Sequence, residues 1–327
     1  MLVPVLLFAL GLVLLIKGGD WFVDGSVSLA HRFHLPELLI GATIVSIGTT
    51  LPEVMVSVQA ALQNNSGISY GNAIGSVICN TSLIAAITLV FRPSLVKRRS
   101  LLMPVISFFV AAAFYALIAY TTGTFQRWHG FVLLGMFCLY MVLTVLQMKK
   151  HPEMQDEAED DGDKEEDSKP TPLYLDLLML VGGAAAIAIG ANLLVENGTL
   201  IAAALGVPDS VIGLTMIALG TSLPELVTAI TSLLKGHGSL SLGNVIGANL
   251  FNLVLVSGAA ISIAPFSVPS ERILLGQRAS LVVDLPVMLL VMLLLCLPAV
   301  MREKLYRWQG ILLLCIYVGF TIFQFAA

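Results

Sequence analysis

The chain has 327 residues, of which 57% are hydrophobic and 12% are charged, and its mean hydropathy is +0.92. This composition excludes an ordinary water-soluble protein and indicates an integral membrane protein surrounded by a lipid bilayer. The formal net charge of −4 gives no reason to expect a nucleic-acid partner.

Ten apolar runs approach the length of about 20 residues that a helix needs to cross a bilayer. They are continuous rather than alternating, which favours helices over a β-barrel. The first run has no basic region before it and no small-residue cleavage site after it, so we expect it to be retained as a helix. The runs lie near residues 2–16, 36–62, 70–91, 101–120, 129–147, 173–195, 208–234, 240–263, 279–298 and 308–326.

The basic residues predict the orientation of these helices, because Lys and Arg concentrate in cytoplasmic loops. With both termini outside, fourteen of the 17 basic residues lie inside the cell, and Arg127, Arg272 and Arg278 lie outside. The lack of a large regulatory domain suits a prokaryote. We therefore expect the protein in the prokaryotic plasma (inner) membrane, with its N- and C-termini outside.

The segment 149–172 differs from the rest of the chain in its charge. Residues 153–168 carry ten acidic side chains and one lysine, and such a like-charged run stays solvated. We expect a disordered cytoplasmic linker between a first unit, 1–148, and a second unit, 173–327. A calcium-sensing or partner-binding role is the alternative, although the segment has no EF-hand spacing.

The two units repeat one another. The stretch GATIVSIGTTLPEVMVS, from Gly41, recurs as GLTMIALGTSLPELVTA, from Gly213, and GNAIGSVICN, from Gly71, recurs as GNVIGANLFN, from Gly243; both offsets are 172 residues. Farther on, Arg127, Trp128 and Gly130 recur at an offset of 180 residues as Arg307, Trp308 and Gly310. Each unit has five predicted helices, and an odd number inverts the second copy. The predicted fold is an all-α polytopic membrane protein of ten transmembrane helices, arranged as two inverted five-helix repeats, which is common in secondary transporters.

The first repeated motif places ionisable groups inside the membrane. Pro52 lacks an amide hydrogen and clashes with the carbonyl of Gly48, so we expect the helix to kink or unwind there. Thr49 and Glu53 are one turn apart and share a helix face. A charge at the bilayer centre costs at least about 2.5 kcal/mol, which makes it a functional candidate. The second repeat presents the same groups, with Thr221, Pro224 and Glu225.

The second motif adds neutral oxygen atoms. Ser76 and Asn80 share one helix face, as do Ala248 and Asn252 in the other repeat. Carboxylate, hydroxyl, amide and carbonyl oxygens suit calcium and sodium, whereas zinc or copper would require His or Cys. The negative charges of two carboxylates balance the charge of one divalent cation or of two monovalent cations. The alternative is that the hydroxyl and amide groups serve only as hydrogen bonds between helices.

Asp20 and Asp24 follow the first apolar run. We expect them at the membrane interface, near the end of the first helix, with an ion entrance as the alternative. No bound cofactor is indicated by the sequence, and nothing in it specifies the oligomeric state.

The paired signatures GTTLPE with GNAIGSVICN and GTSLPE with GNVIGANLFN resemble the alpha repeats of the calcium/cation antiporter superfamily, most closely those of its prokaryotic sodium/calcium exchangers. The resemblance spans essentially the whole chain. It implies an ion site built by helices 2, 3, 7 and 8, with helices 1 and 6 sliding across it. The implied calcium ligands are Glu53, Glu225, Thr49 and Thr221, and the overlapping sodium sites add the main-chain carbonyls of Ser46 and Ala218, the side chains of Ser76 and Ser222, nearby Asn80 and its repeat partner Asn252.

Three positions depart from the family pattern. Ala248 replaces a serine, which removes a hydroxyl ligand and puts the sodium stoichiometry in question. Asn252 stands where potassium-dependent members often have Asp, which argues against potassium co-transport. Val77 replaces the Asn that Asn249 keeps in the second repeat, and we interpret this as a change in packing.

Our functional hypothesis is a secondary active antiporter, without enzymatic activity, that exchanges cytoplasmic calcium for sodium by alternating access. The first alternative is an antiporter of calcium, or another cation, with protons, because the same two glutamates can carry protons. A passive channel is another alternative. An intramembrane hydrolase is more remote, since the chain has no GxGD motif, no Ser/His pair and no HExxH motif.

Overall fold

The computed structural model describes residues 2–33, 35–93, 95–150, 172–205, 220–269, 273–274 and 276–326, and helices dominate these ranges. Nine of the helices found there are long and apolar enough to span a membrane, and a shorter apolar helix, α7, follows residues 206–219, which lie outside the described ranges. The ten helices are α1 Leu2–Arg32, α2 Glu37–Leu62, α3 Ser66–Phe91, α4 Arg98–Thr121, α5 Arg127–Lys150, α6 Leu173–Ala204, α7 Leu223–Leu234, α8 Gly238–Ile263, α9 Ser280–Arg302 and α10 Arg307–Ala326. The predicted all-α membrane architecture is confirmed.

Helix α1 is longer than predicted. It runs for 31 residues, to Arg32, so Asp20 and Asp24 lie within the helix, and their prediction as residues near its end is wrong. The sequence Gly18-Gly19 does not end the helix because both glycines pack against neighbours. A Cβ atom on Gly18 would lie 2.9 Å from the Cβ of Ala186, and one on Gly19 would lie 2.8 Å from Val227.

Helices α1 and α6 pack closely through glycines. A Cβ atom on Gly11 would lie 2.8 Å from the carbonyl oxygen of Gly190, and one on Gly183 would lie 2.8 Å from that of Gly18. Contacts of this kind are typical of helices that associate within membranes. The residue numbers rise along α1 as they fall along α6, so the two helices are antiparallel, as inverted repeats require.

The same inversion relates two other contacts. A Cβ atom on Gly130 of α5 would lie 2.7 Å from the carbonyl oxygen of Gly258 in α8, and one on Gly310 of α10 would lie 2.6 Å from that of Ala86 in α3. Gly258 follows Ala86 by 172 residues and Gly310 follows Gly130 by 180 residues, so the repeated residues make equivalent contacts.

The boundaries predicted for the linker, 149–172, stay a prediction, because residues 151–171 lie outside the described ranges.

Short strands tie the connecting loops together. Strand β1, Thr124–Phe125, pairs antiparallel with β2, Phe266–Ser267, and Thr124 lies opposite Ser267. A β-bridge between Leu95 and Lys304 is the repeat-related counterpart of that pair. Strands β3, Ile273–Leu274, and β4, Gln277–Arg278, form a separate hairpin.

The buried side chains form two clusters. The larger one lies mainly among α3, α4, α8 and α9 and includes Phe108, Tyr115 and Phe251. The smaller one joins α1 and α6 through residues such as Leu15, Phe22 and Ile187. The smaller cluster also includes Ile40 and Val45 of α2 and Leu240 of α8, so the α1 and α6 pair packs against these two helices.

Within the described ranges four helices contain a π-helical segment, which the sequence did not predict: Gly41–Val45 in α2, Asn80–Ala85 in α3, Asn252–Val256 in α8 and Ser280–Asp284 in α9. The segments in α3 and α8 begin at repeat-related asparagines. Segments of this kind are frequent at functional sites. In α2 and α8 the residue after the segment bonds the carbonyl of the first residue of the segment, since the Ser46 hydroxyl donates to Gly41 at 2.7 Å and the Ser257 hydroxyl donates to Asn252 at 3.1 Å.

Candidate cation site

Glu53 of α2 and Glu225 of α7 bring two carboxylates together in the protein interior. Both side chains have an exposed fraction of 0%, and the two carboxylates are close enough to interact electrostatically. Among the described residues, no group hydrogen-bonds to any of the four carboxylate oxygens. Such groups are costly to bury without a partner, and a bound cation would satisfy both of them.

The backbone conformation just before the glutamate differs between the two repeats. Helix α2 continues through Pro52, so it does not unwind there, and of the two predicted outcomes the kink alone stays a prediction. A membrane helix can retain a proline when surrounding groups satisfy the backbone that it frees. In the second repeat, Thr221 and Ser222 form a turn, and α7 begins at Leu223 with Pro224 in its first turn, where a missing amide hydrogen costs little.

Hydroxyl groups surround the carboxylates. Thr49 and Thr50 are buried, and their hydroxyls interact with the Glu225 carboxylate without meeting hydrogen-bond geometry. Ser222 is 3% exposed, and its hydroxyl has no hydrogen-bond partner among the described residues. Thr221 is partly buried in the turn before α7. These oxygens are of the kind that calcium and sodium prefer.

Two amide side chains occupy equivalent positions in α3 and α8. Asn80 and Asn252 are both fully buried, and within the described ranges neither their amide oxygens nor their amide nitrogens have a hydrogen-bond partner. Ser76, one turn before Asn80, is also buried, whereas its repeat partner Ala248 is buried and has no side-chain oxygen. The neutral oxygens are therefore not arranged symmetrically.

The remaining predicted carbonyl ligands belong to Ser46 and Ala218. Ser46 is fully buried in α2, at the C-terminal end of the π-helical segment Gly41–Val45. Ala218 lies in the stretch 206–219, outside the described residues, so its position stays a prediction.

Sequence reasoning missed Thr50, Asn72 and Asn244. Asn72 donates to the carbonyl oxygen of Glu53 at 3.1 Å, and the Asn244 amide oxygen accepts from Thr49 at 3.3 Å. Both asparagines follow the first glycine of the GNxIG pattern and recur at an offset of 172 residues. That recurrence was the signal that could have identified them.

A cleft connects the site with the α1 and α6 pair. Its volume is about 10 Å³, which is room for about one water molecule. Phe22 of α1 and Ile187 of α6 form one wall, and Thr49, Pro52 and Pro224 form part of the other. Movement of α1 and α6 would therefore change access to Thr49.

No three His, Cys, Asp or Glu side chains form a metal cluster within the described ranges. The arrangement instead combines two carboxylates with hydroxyl and amide oxygens. That donor set fits a hard cation and does not fit zinc or copper.

Comparison with known proteins identifies the family. The family described as sodium/calcium exchanger protein matches residues 3–146 and 175–326. The chain belongs to the sodium/calcium exchanger family. This assignment confirms the resemblance drawn from the paired motifs, and it places the chain among ion exchangers rather than enzymes.

Relatives of this exchanger-family chain match it over most of their length. The sodium/calcium exchanger MaX1 of Methanosarcina acetivorans is 33% identical over 355 residues, covering 98% of both chains. The inner membrane protein YrbG of Escherichia coli is 35% identical over 273 residues, covering 81% of both. A structure of the sodium-calcium exchanger NCX_Mj soaked with 2.5 mM Na⁺ and 10 mM Sr²⁺ matches with a TM-score of 0.80 and 33% identity, covering 97% of both chains.

Proposed function

We propose that the protein exports calcium from the cytoplasm in exchange for sodium that enters down its gradient. The observation that carries this proposal is the pair Glu53 and Glu225, which are fully buried and lack hydrogen-bond partners among the described residues. Each comes from one inverted repeat. Together they can balance the charge of one calcium ion or of two sodium ions, which allows the two cargoes to compete for one site.

The proposed calcium ligands are the two glutamates with Thr49 and Thr221. The proposed sodium ligands overlap with them and add further oxygens. This ligand set is supported by the burial of its described side chains, of which Thr221 alone is only partly buried. The added groups are the carbonyls of Ser46 and Ala218 and the side chains of Ser76, Ser222, Asn80 and Asn252.

Alternating access would come from movement of α1 and α6 across the larger core. Their glycine contacts support movement as one unit, and the small cleft between Phe22 and Thr49 shows that this pair borders the candidate site. Binding couples the two fluxes when calcium and sodium differ in affinity for the inward and outward states. We place the protein in the prokaryotic inner membrane, with both termini outside, and YrbG, an inner membrane protein by name, supports this location.

Proteoliposomes containing the purified protein test the proposal. Calcium uptake is measured with an imposed sodium gradient, with an imposed pH gradient and with neither. We expect uptake only with the sodium gradient, and we expect Glu53→Gln and Glu225→Gln to abolish it. Glu37→Gln is the matched control, because Glu37 is also buried but pairs with His237 at 2.7 Å. Uptake that persists in both site variants would contradict the proposal.

Exchange of calcium, or of another cation, for protons is the second candidate. It is favoured by Ala248, which is buried and supplies no oxygen where its repeat partner Ser76 supplies a hydroxyl. Uptake that follows the pH gradient and ignores the sodium gradient would select this candidate.

A further inference from the structure

Asn244 is a buried polar residue beside the site, with an exposed fraction of 1%. It lies in α8, and its side chain connects α7, which carries Glu225, with α2, which carries Thr49. The hydrogen-bonding capacity of each partner determines whether the amide oxygen or the NH₂ group of Asn244 faces it.

Thr228 fixes one end of this network. Its hydroxyl lies 2.9 Å from the carbonyl of Pro224 and 3.0 Å from that of Glu225. Carbonyl oxygens only accept, so the single proton of Thr228 is committed to one of them. Thr228 must then accept a hydrogen bond from Asn244, 2.9 Å away, and only the NH₂ group of an amide can donate.

This assignment orients the other end of the Asn244 amide. With the NH₂ group on Thr228, the amide oxygen faces the hydroxyls of Ser46, at 3.2 Å, and Thr49, at 3.3 Å. When Thr49 donates to this oxygen, its hydroxyl proton points at Asn244 and no longer at the Glu225 carboxylate beside it. Its lone pairs are left for the interior of the site, where the Glu225 carboxylate is its neighbour.

We propose that Asn244 is a positioning residue that holds the Thr49 hydroxyl as an oxygen donor to the transported cation, with Thr228 fixing the orientation of the amide. The inference rests on the proposed cation site. If the Thr49 hydroxyl were free to rotate, its single proton could instead point at Glu225 or at the cation. Because Thr228 also bonds the backbone of α7, the network sets the position of Thr49 relative to Glu225.

Cation binding to the purified full chain in detergent tests the proposal. The readout is the calcium concentration that half-saturates the site, obtained from the dependence of the melting temperature on calcium concentration. Groups that orient metal ligands typically contribute about 10-fold to 100-fold in affinity. We expect Asn244→Leu to raise this concentration about 10-fold, and Thr228→Val to raise it about threefold, because the amide can then turn over.

Two further variants separate positioning from general support of the fold. Asn244→Asp keeps an oxygen facing Thr49, and the Thr228 hydroxyl can turn to its second oxygen, so we expect calcium binding to be retained. In a Thr49→Val background the hydroxyl to be positioned is gone, so Asn244→Leu should change the half-saturating concentration less than twofold further. Asn197→Leu is the control, because Asn197 is buried and bonds the carbonyl of Leu193 at 2.7 Å, within α6.

The outcomes separate this inference from the proposed function. Additive effects of Asn244→Leu and Thr49→Val, or a loss in Asn244→Asp equal to that in Asn244→Leu, would overturn the positioning role. An absence of calcium-induced stabilisation in the unmodified protein would also overturn it. Calcium binding with the expected coupling, but without sodium-driven uptake in proteoliposomes, would overturn the proposed exchange and leave the positioning role standing.

Discussion

The ammonium group of Lys235 lies 2.6 Å from a carboxylate oxygen of Asp24, which joins the end of α7 to α1. Asp20 supports the same ammonium group, with its carbonyl oxygen at 3.2 Å and a carboxylate oxygen at 3.7 Å. Helix α1 packs with α6, while α7 carries Glu225. The ion pair therefore spans two parts of the protein that must move relative to one another if α1 and α6 open the site.

Removal of this pair should change the exchange rate modestly. The Lys235 and Asp24 side chains are 27% and 45% exposed, and pairs at such positions are worth about 1 kcal/mol or less. We expect Lys235→Gln and Asp24→Asn each to increase sodium-driven calcium uptake by up to about fivefold, and the double variant to add little. Lys17→Gln is the control, because Lys17 is 63% exposed and lies 3.7 Å from Asp20. Fully additive changes in the double variant would show that the pair does not act as a unit.

The close contact of α1 with α6 gives a second prediction. A Cβ atom on Gly183 would lie 2.5 Å from the backbone nitrogen of Phe22, whereas one on Gly182 would have no neighbour within 4 Å. We expect Gly183→Ala to destabilise the protein by about 1–3 kcal/mol through overpacking. Gly182→Ala should be neutral or stabilising by up to about 1 kcal/mol, because alanine favours helix. Melting temperatures in detergent compare the two variants, and equal values would contradict the packing described for α1 and α6.

The junction of these helices also contains a buried ion pair. Asp176 of α6 has an exposed fraction of 0%, and its carboxylate accepts hydrogen bonds from Arg32 at 2.9 Å and Ser28 at 2.8 Å. We expect Arg32→Met to lower the free energy of unfolding by about 2–3 kcal/mol, because it removes the counter-charge of a buried carboxylate. Ser28→Ala, which removes only a neutral donor, should cost about 1 kcal/mol.

A second variant separates the charge effect from the loss of Arg32 packing. Adding Asp176→Leu to Arg32→Met removes the buried carboxylate that has lost its arginine, so part of the lost stability should return. Thermal unfolding of the single and double variants measures this recovery. A double variant less stable than Arg32→Met would mean that Asp176 is stabilised by other groups.

The sequence predicted the helices and both carboxylates because these features depend on local composition and on repetition. The apolar runs reflect the surrounding lipid, and the repetition of Glu53 and Glu225 marks them as candidate cation ligands whatever the details of packing. The lengths of the helices were less predictable. Helix α1 extends through Gly18 and Gly19 because α6 and α7 pack against them, and these neighbours are distant in the sequence.

The backbone around the site also depends on distant contacts. The motifs GTTLPE and GTSLPE are almost identical, yet α2 continues through Pro52 while α7 begins just before Pro224. The π-helical segment Gly41–Val45 is accompanied by a hydrogen bond from Tyr140 of α5 to Ala42 at 2.9 Å. No pattern within the motif itself indicates that contact. Asn244 was overlooked for the same reason, because its partners belong to other helices.

The last prediction concerns sodium and rests on the proposed exchange. Ala248 lies one turn before Asn252 and is fully buried, and its repeat partner Ser76 carries a hydroxyl. We expect Ala248→Ser to supply a further oxygen and to lower the sodium concentration for half-maximal exchange by about threefold to tenfold, as expected for about one added favourable contact. The sodium dependence should also become steeper if the added oxygen completes another site.

Two variants make this prediction specific. Ser76→Ala removes the corresponding hydroxyl and should raise the half-maximal sodium concentration. Ala260→Ser places a hydroxyl at another buried position of α8 and should leave the sodium dependence unchanged. Sodium titrations of calcium uptake in proteoliposomes measure all three variants. If Ala248→Ser and Ser76→Ala both behave like the unmodified protein, neither position contributes a sodium ligand, and the difference between the repeats at this point concerns packing alone.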